Sequence, residues 1–258
     1  MSALNGVLAL AVNGFRESRR NRVTVVVYLF AFILIFSATF ALDMTVGTFE
    51  RVMTDLGLGV ISIITVALTI FLGSGLIPRE IERRTIFMIV SKPVARSAFV
   101  VGRLLGNLMT SFFVLIIMSL LLLGQMLVEG TPIRESLVVA LIGIALEVVV
   151  LSCVSFAFAA GSSQFVSAVC CSGLYFLGHL STDLYKVADR AKAPVIGFFG
   201  KVAYYVLPNL DRLDFKGRAT YGDPTPWSEL GGSVVYALGY SVVMIVIATA
   251  VFERRDFK

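Results

Sequence analysis

Long apolar runs alternate with short polar connectors along almost the whole chain. Val23–Leu42, Leu56–Ile77, Leu104–Val128, Leu137–Ala160, Phe165–Leu180 and Leu230–Phe252 each meet or approach the roughly 20 residues a helix needs to cross a bilayer. They are unbroken and rich in Leu and Ala, without the two-residue alternation of a barrel strand. Backbone groups in hydrocarbon must bond to one another, so the runs predict helices. The expected fold class is an all-α membrane protein with six transmembrane helices. The fifth run, the shortest, is expected to begin or end among the headgroups.

The connectors carry the remaining pattern. Leu4, Val7, Leu8, Ala11, Val12 and Phe15 share one helical face, which makes 1–22 an amphipathic helix in the interface ahead of a six-span domain at 23–258. Thr39-Phe40-Ala41 resembles a cleavage site, but the apolar stretch before it runs a full span, so a retained anchor is expected. Between spans two and three, Pro78 suits the first turn of a new helix, where its missing N–H is harmless. Glu80 and Glu82 would then sit at its positive end, and Glu80 would reach Arg83 and Arg84 at three- and four-residue spacing. Ile86–Val90 is apolar but too short to span, and Ser91-Lys92-Pro93 breaks it. The whole reads as a rigid charged bracket at the membrane face. Gly161-Ser162-Ser163-Gln164 predicts a tight hairpin. Pro194–Leu207, dense in aromatics, predicts a short external helix, and Asn209 to Trp227 predicts polar turns.

Composition and charge place these elements. With 57% hydrophobic and 15% charged residues, the chain has more apolar surface than a soluble domain of this length can hide. Arg16, Arg19, Arg20 and Arg22 precede span one, and Arg79, Arg83, Arg84, Lys92, Arg96 and Arg103 lie between spans two and three. The first and third connectors carry only Arg51 and Arg134, and Ser181–Glu229 is expected on their side despite seven basic residues because six acidic ones accompany them, so both termini are expected in the cytoplasm. The net charge of +5 reflects this topology and implies no nucleic-acid partner.

No GxxxxGK[ST] phosphate loop occurs, so hydrolysis of ATP by this chain alone is not expected. The sole histidine, His179, falls at the outer end of span five and reads as a headgroup-level polar residue. Ser162 and Ser163, at the other end of that helix, are about 24 Å away along its axis, too far to act with it. Cys153, Cys170 and Cys171 are intramembrane packing residues, and no metal site is expected. Glu147 is the one ionisable residue deep in a span and should face protein or a wet cavity, with Gln125 and Asn107 as candidate partners. A structural role and a place on a translocation route or subunit seam both remain open for Glu147 and Gln125.

The order of these features resembles the permease subunit of ABC transporters of the ABC-2 type. The matching residues are Pro78-Arg79-Glu80 through Thr85, Ser91-Lys92-Pro93-Val94-Ala95-Arg96, Gly102-Arg103, Gly178-His179, and Tyr204-Tyr205-Val206-Leu207-Pro208-Asn209-Leu210-Asp211. The last two are most similar to the subgroup that includes permeases for multicopper-enzyme maturation and gliding motility. Arg84 stands where many members have Gly. The resemblance implies a half-transporter in a bacterial inner membrane, paired with a second copy or a related permease and with two ATPase subunits. ATP and Mg2+ would sit on those subunits, and no cofactor or metal on this chain. The bracket, Arg79, Glu80, Ile81, Glu82, Arg83, Arg84 and Thr85, would be the cytoplasmic coupling helix, and Phe198, Phe199, Tyr204 and Tyr205 an outer gate. Export of a lipid, glycan or peptide is the leading expectation. Two alternatives are a mechanical transmitter driving a periplasmic partner and an accessory factor for copper or sulfur enzyme maturation.

Overall fold

The computed structural model of the chain describes residues 3–18, 49–82, 96–190 and 204–254, with further positions at 25, 29–30, 32–33, 198 and 201–202. Its helices are α1 (Ala3–Ser18), α2 (Phe49–Glu82), α3 (Arg96–Val128), α4 (Glu135–Gly161), α5 (Gln164–His179), α6 (Ser181–Arg190), α7 (Lys216–Tyr221) and α8 (Trp227–Glu253), with a 3-10 turn at Asp211–Leu213. Among the described residues α2, α3, α4 and α8 are long and apolar enough to cross a membrane. The α5–α6 pair makes a fifth candidate only as a broken helix bent by 62°. The expected first span lies largely outside the described residues; its Phe30 is buried against Met53 and Leu58. Exposed Val235, Leu238, Val242 and Val246 form an apolar outward face on α8, as lipid contact requires.

Helices α4, α5 and α8 begin and end within three residues of their apolar runs, because hydrophobicity alone sets their length. Helices α2 and α3 overrun theirs. Arg134 and Glu50, 2.8 Å apart, hold the start of α2, and Glu80 pairs with Arg103 where α2 ends and α3 begins. Pro78 lies inside α2 rather than opening a new helix. Its ring fixes a φ that a helix already uses, so the helix continues through it at the cost of the bond to the Ser74 carbonyl and crowding of that carbonyl by the ring. Residues 79–82 therefore extend the second span as part of one 34-residue rod.

Helix α4 is apolar on every side and occupies the centre, packed against α2, α3, α5 and α8. Helix α1 lies against α3, with Ala11 and Gly14 beside Gly106 and Phe15 edge-on to Phe113 at 5.6 Å. The bundle has two ends. At the hairpin end, Ser162 and Ser163 turn α4 into α5, as the sequence predicts, and the Ser162 and Ser167 hydroxyls meet at 2.8 Å. At the connector end, residues 204–226 lead from α6 back to α8. This connector does not stay on the surface. Leu210 and Leu213 pack in the middle of the bundle with Val66, Ile70, Leu151 and Cys171.

Candidate functional site

Depth brings the site together. Helix α5 has only 16 residues, so it climbs about 24 Å from the hairpin and stops short of a roughly 30 Å hydrocarbon layer. His179, its last residue, consequently lies about 22 Å above Gln164, and Glu147 lies about 21 Å above Gly161 on neighbouring α4. The two meet: His179 Nε2 is 2.5 Å from Glu147 Oε1. His179 is thereby held inside the bundle, level with the most buried carboxylate among the described residues. The reason is the bend at Leu180, which carries the chain sideways before the span is complete.

Two glycines let the connector reach this depth. A Cβ on Gly178 would lie 2.7 Å from the Pro208 carbonyl oxygen, and one on Gly143 would lie 2.4 Å from that of Leu213. In that space the Leu210 N–H donates to the Gly178 carbonyl at 3.2 Å, satisfying an acceptor at the end of α5. The Asn209 N–H donates to the Tyr236 hydroxyl at 2.7 Å, and Ser233 Oγ donates to the Arg212 carbonyl at 2.9 Å. The Gly178-His179 and Tyr204–Asp211 segments, far apart in sequence, are thus packed on each other.

Asp214 and Lys216 follow directly and close a circuit of polar side chains. Asp214 Oδ2 is 3.9 Å from His179 Nδ1. Lys216 Nζ lies 3.4 Å from Asp214 Oδ2 and donates to Ser62 Oγ at 3.2 Å. Ser62 Oγ in turn faces Glu147 Oε2 at 3.5 Å. Helices α2, α4, α5 and α7 and the connector each supply a member. Tyr175 packs edge-on against the imidazole, centroids 4.7 Å apart. Exposure rises outward: Glu147 is 3% exposed, His179 21% and Asp214 28%. Beyond Asp214 lies a polar pocket of about 380 Å³ lined by Tyr204, Asn209, Asp211, Arg212, Arg218 and Glu229, among others. Arg218 and Glu229 pair twice, at 2.7 and 2.9 Å, which raises the Arg218 guanidinium above its ordinary value and fastens α7 to α8. Thr220 bonds Asp55 at 3.3 Å and fastens α7 to α2.

The other expected site residues scatter. Gln125 donates to Glu129 at 3.2 Å, one turn along α3, and Asn107 donates to Ser152 at 3.3 Å, so neither partners Glu147. Glu80 pairs with Arg103, and Arg79 donates to Gln164 at 3.0 Å. Ile81 and Glu82 continue α2, while Arg83, Arg84 and Thr85 lie outside the described residues, as does Phe199. Tyr204 lines the pocket and packs on Tyr185 at 4.8 Å; Phe198 and Tyr205 are exposed. Ser62, Asp214 and Lys216 are the members that sequence patterning misses. A signal existed for two of them. Leu210, Leu213 and Phe215 are apolar positions in a polar loop, and they carry the intervening and following charges inward. Compared with known protein families and with proteins of curated function, the chain matches none.

Proposed function

We propose that the chain is the membrane-embedded permease subunit of an ABC-2-type transporter in a bacterial inner membrane, with both termini cytoplasmic. Two separate ATPase subunits supply the energy, a second permease completes the body, and an amphiphile such as a lipid, glycan or peptide is the exported class. The observation that carries this reading is the continuity of α2. One helix joins the charged residues Arg79–Glu82 at the hairpin end to Ser62 in the polar circuit. A push on those charges moves Ser62 against Glu147, because a hydrogen-bonded rod transmits displacement along its axis. Glu80 holds α2 to α3 through Arg103, so direct ATPase contact falls to Ile81, Glu82, Arg83, Arg84 and Thr85. For the push to do work, nucleotide must bind one arrangement of the permease better than the other.

The test is to recover the tagged chain from native membranes and measure nucleotide hydrolysis by what accompanies it. An associated ATPase is expected, lost on combined charge reversal at Glu82, Arg83 and Arg84 while the chain still assembles. Recovery without any nucleotide-hydrolysing partner, or full activity of the chain alone, refutes the reading. Hydrolysis that moves nothing across vesicles but depends on a periplasmic protein selects the mechanical alternative.

A further inference from the structure

Counting formal charge around the circuit gives an imbalance. Glu147 and Asp214 are two carboxylates facing one ammonium, Lys216, so the circuit carries one excess negative charge unless a further proton is taken up. Among the described residues the other charges bordering Asp214 cancel one another: Arg218 pairs with Glu229, and Arg212 shares the pocket with Asp211. Helix α2 contributes Ser62 to the circuit, and α5 adds Tyr175 beside His179. The tyrosines of α8 are engaged elsewhere, Tyr236 with Asn209 and Tyr240 with the Val206 carbonyl. At this level α3 presents apolar Val114 and Met118. Uncompensated charge in the middle of an apolar bundle is expensive, and a proton on the Glu147–His179 pair removes it. The two groups share one 2.5 Å contact, so a proton bound there would belong to both.

We propose that the Glu147–His179 pair is a proton-binding site in the middle of the bundle, loaded from the connector end through Asp214. The geometry supplies the route. Asp214 borders the outer pocket and, across a 3.9 Å gap, faces His179 Nδ1; the opposite imidazole nitrogen meets Glu147. Once that gap closes to hydrogen-bonding distance, a proton delivered by the Asp214 carboxyl forms an N–H bond at Nδ1 and leaves Asp214 ionised. The proton on Nε2 then passes to Glu147 Oε1, breaking that N–H bond and forming an O–H bond. The imidazole ends neutral with its hydrogen on Nδ1. Return of the proton by the same steps resets it. Because Asp214 and Lys216 ride on the connector, lifting the connector cuts the route, so proton exchange is restricted to the seated state. This site stands apart from the ATPase reading, since its readout needs only the full chain in a bilayer.

His179 is the only histidine in the chain, so a 15N-imidazole label gives one residue's signal. The full chain is placed in proteoliposomes whose lumen and bath are buffered separately between about pH 5 and 9. An impermeant thiol label on Asp223→Cys reads the fraction of chains with the connector facing the bath. That same fraction of the imidazole signal should follow bath pH, and the rest lumen pH. Charge counting also fixes signs. Asp214→Asn and Glu147→Gln each remove the excess negative charge and should shift the imidazole titration to lower pH, by about one unit or tenfold in proton affinity. Lys216→Gln deepens the excess and should shift it the opposite way by a similar amount. A signal that follows the hairpin side, or shifts of the same sign in all variants, overturns the proposal. If Glu147→Gln fails to assemble, the opposed pair Asp214→Asn and Lys216→Gln still decides it.

Discussion

Truncating His179 to alanine strands the Glu147 carboxylate, and the size of the effect follows from what remains around it. Glu147 is 3% exposed, and its only other side-chain contact among those described is Ser62 at 3.5 Å. Removing one partner of a buried ion pair costs about 3–5 kcal/mol. An upper bound comes from solvent: at pH 7 an ordinary glutamic acid can be neutralised for about 4 kcal/mol, so the carboxyl would protonate before losing more. His179→Ala should therefore destabilise by about 3–4 kcal/mol near neutrality. Glu147→Gln keeps an acceptor for the imidazole and removes the charge, so about 1 kcal/mol is expected. The double variant strands nothing, and about 2 kcal/mol is expected for it, which leaves a coupling of about 2 kcal/mol. Equilibrium unfolding of the full chain in mixed micelles, with all four members of the cycle, measures this directly. Additivity within about 0.5 kcal/mol would refute the pairing argument.

Three further outcomes test other parts of the structure. Gly178→Ala places a methyl against Pro208 and Leu210 and should destabilise by about 1–3 kcal/mol; hydrogen exchange at Leu210–Leu213 should speed up while that of α4 does not. Arg103→Glu should break the tie between α2 and α3 and lower stability by about 3 kcal/mol, and combining it with Glu80→Arg should restore most of the loss in thermal unfolding. Of the three cysteines, Cys170 is exposed while Cys153 and Cys171 are buried, so a membrane-soluble thiol reagent should modify Cys170 alone until the chain unfolds, as mass spectrometry of the peptides would show.

What the sequence makes legible is whatever a single helix decides for itself. Helices α4 and α8 follow from apolar length, and the α4–α5 turn follows from two serines and a glycine, because each depends on neighbours in sequence. Pro78 misled because a proline at a helix start and one inside a helix look the same locally; the difference is made by what packs around it. Glu147 is legible as a buried charge, yet its partners are not: Gln125 bonds Glu129 and Asn107 bonds Ser152 instead. The true partner depends on α5 stopping about 24 Å above the hairpin. That stop was written in its 16-residue length, which a reading in terms of full spans turns into a displaced His179. Helix α7 was also visible in principle: Gly222 takes φ +75° and Pro224 follows, a common helix-stopping arrangement. Ser62 gave no signal, because serines line many membrane helices.

The depth of the circuit explains why the connector must be so closely fitted. A charged side chain midway through a membrane helix is unfavourable by about 3 kcal/mol on insertion scales, and this bundle gathers Glu147, His179, Asp214 and Lys216 around one serine. Such a group is tolerable only when each charge faces an opposite charge or a hydrogen-bonding partner. Two of the five members ride on the connector, so an unseated connector leaves Glu147 and His179 without Asp214 and Lys216. Seating in turn requires carbonyl oxygens to approach α4 and α5 more closely than any side chain permits, which is what Gly143 and Gly178 supply. Backbone contact and ionisation are therefore one equilibrium: whatever moves α2 past Ser62 bears on the charge balance, and whatever alters the charge balance bears on the connector.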